Sequence, residues 1–320
     1  MKFFEGIRRK LFGEPESEVV FEGQEDLVDT APLPASVVER VQGDLRWGGY
    51  CVGSAQTIGH QRKENEDSLF VLTTSEIGED SLPEFGLFCV ADGAGGHGHG
   101  EIASAMALST VTRYLLKEQF LFQLDALGKD TAQSAKELMH RAFDLSDSIV
   151  NAGAKGGVTT LTVALLHGNH ITIGHVGDTR AYLINSGRIQ LATRDHSVPW
   201  RLVEIGQLSP EEARVHPQRN LLWNAVGKGE NLFVDVFTYP VPVGGYLFLC
   251  SDGLWSEIND ADIQQMIQGS KDPYTVCEEL IQQADNSSGL DNITAVLVAF
   301  SDEYGNTRQY SNEYFPGSRS

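Results

Sequence analysis

FGLFCVADGAGGH, residues 85–97, is the stretch that decides the fold. From Phe85 to Ala91 it carries no charge, and then a single aspartate, Asp92, meets a glycine-rich turn. A short, uniformly apolar run of this kind reads as a strand covered on both faces, with the carboxylate carried out at its end. Working outward, TTLTVALL (159–166), ITIGHV (171–176), AYLI (181–184), YLFLC (246–250) and ITAVLVAF (293–300) have the same character, and Gly or Asp brackets most of them. Helical spacing appears at 101–118, through Ile102, Met106, Leu108 and Leu115, and at 131–151, through Leu138, Met139, Ala142 and Phe143. A third helix is signalled by Ser209-Pro210-Glu211-Glu212, where a capping serine, a first-turn proline and a glutamate three residues after the cap coincide. Further helices are expected near 260–268 and 273–284. Strands outnumber helices, and the helices fall between the strand sets. The pattern predicts an α+β fold of two packed sheets flanked by helices.

The acidic residues at strand ends form a set. RKENED (62–67), VADGAGGH (90–97), GDTR (177–180), CSDG (250–253) and DN (291–292) each bring an aspartate to an apolar run. Asp92 and Asp252 are each followed by a glycine, and the spacing predicts that both carboxylates leave a strand end through a tight turn. Asp291 precedes the last strand. Like charges gathered at one pole repel, and a divalent cation is the usual remedy. No histidine or cysteine accompanies them in ligand spacing, so the donors are oxygens, which suit Mg²⁺ or Mn²⁺. The chemistry this predicts is metal-assisted hydrolysis.

Composition narrows the alternatives. The 320 residues hold 24 basic and 44 acidic side chains, a formal charge of −20 that argues against nucleic acid as a partner. The four cysteines, Cys51, Cys89, Cys250 and Cys277, show no CxxC pairing, and a reducing, cytoplasmic setting is expected. No apolar stretch reaches the length of a membrane span. Residues 1–45 read as a loosely attached tail. MKFFEGIRRKLF at its start has one amphipathic turn that would suit a membrane or partner surface, and residues 13–34 are acidic and proline-containing with no Lys or Arg. Residues 303–320 read as a second tail, leaving 46–302 as the folded domain.

In order, RKENED, VADGAGGHGHGE, GGVTTLTVAL, GHVGDTRAYL, TRDHS, LFLCSDGLW and LDNITAVLV resemble the motif series of the PP2C (PPM) family of metal-dependent serine/threonine phosphatases, bacterial type. The resemblance runs from about residue 48 to 300, and 198–228 is similar to the flap-containing stretch of bacterial members. It implies a four-layer α-β-β-α sandwich, two antiparallel sheets face to face with helices outside, and two Mg²⁺ or Mn²⁺ ions with a third, weaker site. It further implies that Asp92 bridges the two ions and Gly93 binds one through its carbonyl, that Asp252 and Asp291 complete the other, and that Asp67, with Glu66 beside it, holds the first. Asp178 corresponds to the third site, and Arg62 to the phosphate-binding arginine. The implied reaction is in-line attack of a metal-bridging water on phosphoserine or phosphothreonine in proteins, opposing a bacterial kinase; separately, a monomer is expected. Ala94 stands where eukaryotic members often carry a histidine acid, so that role is not transferred; His97 and His99 are nearby candidates. His175, His196 and Trp255 are expected to be structural, and Thr159 and Thr160 to lie in a strand beside the site. A phosphatase-like binding module without turnover, and a hydrolase of nucleotides or other small phosphoesters, remain the competing readings.

Overall fold

The computed structural model describes residues 49–74, 84–95, 98–121, 134–185, 187–229, 231–269 and 272–302. The two tails read from the sequence lie outside the described residues, as does His97. The chain opens with β1 (Tyr50–Thr57), β2 (Asp67–Thr73) and β3 (Phe85–Ala94), followed by helices α1 (His99–Leu115) and α2 (Ala135–Gly153). Then come β4 (Val158–Thr159), β5 (Leu161–His167), β6 (His170–Val176), β7 (Arg180–Asn185) and β8 (Arg188–Leu191). Two short helices, α3 (Val198–Glu204) and α4 (Pro210–Arg214), precede β9 (Asp235–Pro240) and β10 (Tyr246–Cys250). Helices α5 (Asp252–Trp255), α6 (Asp260–Gly269) and α7 (Pro273–Ser287) lead into β11 (Ile293–Phe300).

The strands pair antiparallel in two sheets, ordered β1-β11-β10-β7-β8 and β2-β3-β5-β6-β9, with β4 beside β3. Alternation along the strands explains the layering. Phe88 and Val90 of β3, with Ala164, Leu166, Ile171 and Ile173, meet Leu247, Leu249, Val296 and Val298 of the other sheet. The intervening Leu87, Cys89 and Ala91 face outward against Ala103, Ala107 and Val111 of α1 and Met139, Ala142 and Phe143 of α2. On the opposite side, Phe248, Ala295 and Leu297 lie under Ile263 and Ile267 of α6 and Val276, Leu280 and Ala284 of α7. This is the expected α-β-β-α sandwich with both sheets covered.

Local signals set the helix ends. The Ser134 side chain accepts from Glu137 N at the start of α2, and Asp272 accepts from Tyr274 N and Thr275 N at the start of α7. The capping box foreseen at Ser209 and Glu212 forms, and opens α4.

Two expectations need correction. Asp92 and Gly93 lie inside β3 and form no turn after it, because the strand changes partner: through Val90 it pairs with β5, and at Gly93 and Ala94 with Thr159 and Val158 of β4. For the same reason the run 159–166 is broken at Thr160, which separates β4 from β5. Gly93 is therefore required by close approach. A Cβ there would collide with the carbonyl of Gly100 and lie 2.7 Å from that of Glu66.

Candidate active site

The acidic motifs arrive at one end of the sandwich on different elements. Asp67 begins β2 and stands opposite Asp92 in the antiparallel register. Asp252 is the first residue of α5, Asp291 stands two residues before β11, and Asp178 sits in the turn between β6 and β7. Asp67, Asp92 and Asp178 are fixed through their surroundings. Thr294 Oγ1 donates to Asp67 Oδ2 at 2.6 Å. The Asp92 peptide is held on both sides, its N–H donating to Thr160 Oγ1 and its carbonyl accepting from Thr159 Oγ1, each at 2.9 Å. Thr159 lies in β4 as expected, whereas Thr160, expected in the same strand, falls in the break between β4 and β5, where its hydroxyl accepts from Asp92 N. Trp255 Nε1 donates to the Asp178 carbonyl at 2.9 Å.

Electrostatics show that the carboxylates share one neighbourhood. Burial, then the charges of Asp67, Asp252, Asp178 and Asp291, holds the Asp92 carboxyl well above the usual range. Burial pushes Asp67 up to about 7 against the bonds from Thr294 and Ser251, with Asp252 and Asp291 adding to the rise. Asp252 is pushed up to about 6 by burial and then by Asp291, and Asp178 is raised by burial and then by Asp252. Glu66, next to Asp67, is raised by burial, against the opposing charge of Arg62. Arg62 donates to Asp291 Oδ2 at 2.7 Å and stands 4.0 Å from Glu66. Its guanidinium is thus turned onto the acidic cluster, and Arg62, Asp252 and Asp291 border a cleft of about 220 Å³.

The donor set fits divalent cations. The Oδ1 atoms of Asp67 and Asp252 are buried with no hydrogen-bond donor, a costly state for a carboxylate oxygen and one that a cation removes. Among the described residues, no group of three or more His, Cys, Asp or Glu side chains closes into a ready cage around a single ion. The aspartates are close neighbours, with the Asp92 and Asp252 carboxyls in hydrogen-bond contact, and Arg62 offsets part of their charge.

Several supporting residues escaped the sequence reading. The Asn292 side chain accepts from Glu66 N at 2.8 Å and donates to the carbonyls of Ile58 and Glu64, clasping the RKENED loop to the DN motif. Arg180 is buried in a two-point bond to Asp195 and stacks 3.6 Å from the centre of the Trp255 ring. Trp255 is core, as expected, and also joins the GDTR and SDGLW motifs. His175 and His196 are buried and hydrogen-bonded, in keeping with their structural reading. Burial holds His175 down to about 3. His99 opens α1.

Residues 52–205 match the family model of protein phosphatase 2C. The serine/threonine phosphatase Stp of Listeria monocytogenes is 30% identical over 240 residues, covering 75% of this chain and 92% of that protein. The chain belongs to the protein phosphatase 2C family. It is by that membership a phosphatase. Protein phosphatase PhpP of Streptococcus pneumoniae is 32% identical over 222 residues, 68% of this chain and 87% of the relative. Among solved structures, the Streptococcus agalactiae serine/threonine phosphatase superposes with a TM-score of 0.66 at 28% identity, covering 78% of this chain and 99% of that one. The catalytic domain of serine/threonine protein phosphatase PstP, solved in complex with two manganese ions, superposes with a TM-score of 0.64 at 27% identity, covering 79% and 99%. This PP2C chain therefore shares both fold and family with proteins of known phosphatase activity. No helix among its described residues is long and apolar enough to cross a membrane.

Proposed function

We propose that the chain removes phosphate from phosphoserine and phosphothreonine in proteins, using a pair of Mn²⁺ or Mg²⁺ ions, and that it opposes a serine/threonine kinase. The observation that carries the reading is the convergence of Asp67, Asp92, Asp178, Asp252 and Asp291 with two buried carboxylate oxygens left without donors. Asp92 would serve both ions and the Gly93 carbonyl one of them; Asp67 and Glu66 would complete one, Asp252 and Asp291 the other, and Asp178 a third and weaker one. When bound, such ions supply Lewis-acid polarisation of phosphoryl oxygens and water acidic enough to attack near neutral pH.

The chain's own residues do the rest. Thr294 holds the carboxylate of Asp67 and Thr160 holds the backbone of Asp92, so both residues are set in place before charge develops. Arg62, nearly half exposed, swings from Asp291 to the phosphate and grips two of its oxygens through its planar fork. The buried thiols of Cys89, Cys250 and Cys277 support a cytoplasmic location, and we infer a monomer whose domain spans 46–302. The test is phosphate release from a phosphothreonine peptide and from a nucleotide, with and without Mn²⁺, using Asp252→Asn as control. Mn²⁺-dependent turnover of the peptide is expected. Preference for the nucleotide, or turnover of neither despite bound metal, would refute the proposal.

A further inference from the structure

We propose that His196 is a positioning residue that locks the Asp178 turn into one register with Trp223, Asn224 and Phe233. The inference rests on the reading of Asp178 as part of the metal site. His196 is 2% exposed and reaches both sides through side chain and backbone. Toward the turn, Gly177 N donates to His196 Nδ1 at 3.2 Å, while His196 N donates to the Gly177 carbonyl at 2.6 Å. Toward the other segment, Asn224 Nδ2 donates to the same Nδ1 at 2.8 Å, and Trp223 N donates to the His196 carbonyl at 3.0 Å. The ring also packs against Trp223 and Phe233, with centroids 4.9 and 5.7 Å away.

Two N–H donors converging on Nδ1 require a lone pair there, so the ring proton sits on Nε2. Nε2 lies 3.4 Å from Asp235 Oδ2, and Asp235 is itself held at both oxygens by Arg194. One lone pair thus serves a donor from the acidic turn and a donor from the distal segment. Gly177 adopts φ 109°, and its own conformation does not otherwise pin the turn. On the far side the Asp178 carbonyl is held by Trp255, and Thr162 Oγ1 meets the Thr179 hydroxyl at 2.7 Å and donates to the Thr179 carbonyl at 3.3 Å. The remaining neighbour, His175, faces Thr162 and the Arg194 carbonyl and makes no hydrogen bond to the His196 ring.

The experiment is amide hydrogen exchange on the metal-free full chain, read beside Mn²⁺ titrations of activity. His196→Phe keeps an aromatic ring against Trp223 and Phe233 and removes the acceptor. Asn224→Asp, nearly isosteric, faces Nδ1 with an acceptor, which draws the ring proton there and displaces the Gly177 N–H. Both should raise exchange at Gly177 to Thr179 about tenfold, the loss of one buried hydrogen bond, and raise the Mn²⁺ concentration for half-maximal turnover. His196→Asn, whose amide oxygen takes the place of Nδ1, should restore exchange close to wild type. The proposal is overturned if Asn224→Asp exchanges as wild type at Gly177, if protection is lost equally across both sheets, or if His196→Asn is no better than His196→Phe. Absence of Mn²⁺-dependent turnover by the wild-type chain would refute the functional reading alone, with the exchange data still deciding for or against His196.

Discussion

Asp252→Asn should make the metal-free protein more stable while abolishing its response to metal. The carboxyl lies in a cluster of like charges, and its pKa rises from 3.8 to about 6 on folding, first through burial and then through Asp291. Ionising it in the folded state above pH 6 therefore costs about 3 kcal/mol relative to the unfolded chain, of which partial solvent access leaves about 2. An asparagine has the same shape, carries no charge, and places an N–H donor beside Asp92. The sign follows from the raised pKa: the penalty is absent below pH 3.8, where the group is protonated in both states, grows between about 4 and 6, and is flat above. Urea denaturation in chelator should show the variant exceeding wild type by about 2 kcal/mol at pH 7.5 and equalling it near pH 3.5. A gain of this size corresponds to roughly 4–8 °C in melting temperature. Added Mn²⁺ should raise the wild-type midpoint by mass action and leave the variant's nearly unchanged. An Asp252→Asn chain with native circular dichroism that is no more stable than wild type in chelator at pH 7.5 would refute the claim that these carboxylates strain one another.

Arg62→Ala should lower kcat/KM for a phosphothreonine peptide by roughly 10- to 100-fold, the worth of a charge-assisted bidentate contact, without raising the Mn²⁺ requirement; a change below twofold in steady-state kinetics would remove Arg62 from the phosphate site. Gly93→Ala brings a methyl against the Gly100 and Glu66 carbonyls, and thermal melts should show a loss of about 2 kcal/mol or more; a neutral result would mean that β3 and the start of α1 are less tightly apposed. His175, held down to about 3 chiefly by burial, is neutral in the fold and protonated in the unfolded chain below pH 6.5. Its contribution is present above pH 6.5 and lost as pH falls toward 3, at about 1.4 kcal/mol per pH unit. His175→Asn should remove that component from a urea series run between pH 6.5 and 4.5, and an unchanged slope would contradict it.

The parts legible in the sequence were those whose meaning is local. Asp92, Asp178 and Asp252 stand beside apolar runs that admit only a strand, and two-sided apolarity at 85–91 already required helices over the sheet. Whether Asp92 ends the strand or lies within it depends on Gly93 finding Thr159, a partner far along the chain, and alternation along one strand carries no information about that pairing. The same blindness hid Asn292. In the sequence it is one polar residue between an aspartate and a strand, and its importance appears only when its amide spans the carbonyls of Ile58 and Glu64 and the Glu66 N–H. Trp255 illustrates the limit in another way, since burial was foreseeable but the partners of its ring and its N–H were not. These residues answer the problem that the aspartates create. Repelling carboxylates keep their places only if what carries them cannot yield: Thr160 and Trp255 hold the backbones of Asp92 and Asp178, Thr294 holds the Asp67 carboxylate, and Asn292 holds the loop before Asp67. The charge-bearing residues proposed for the site were therefore readable from local pattern, while the neutral residues that hold them had to come from the fold.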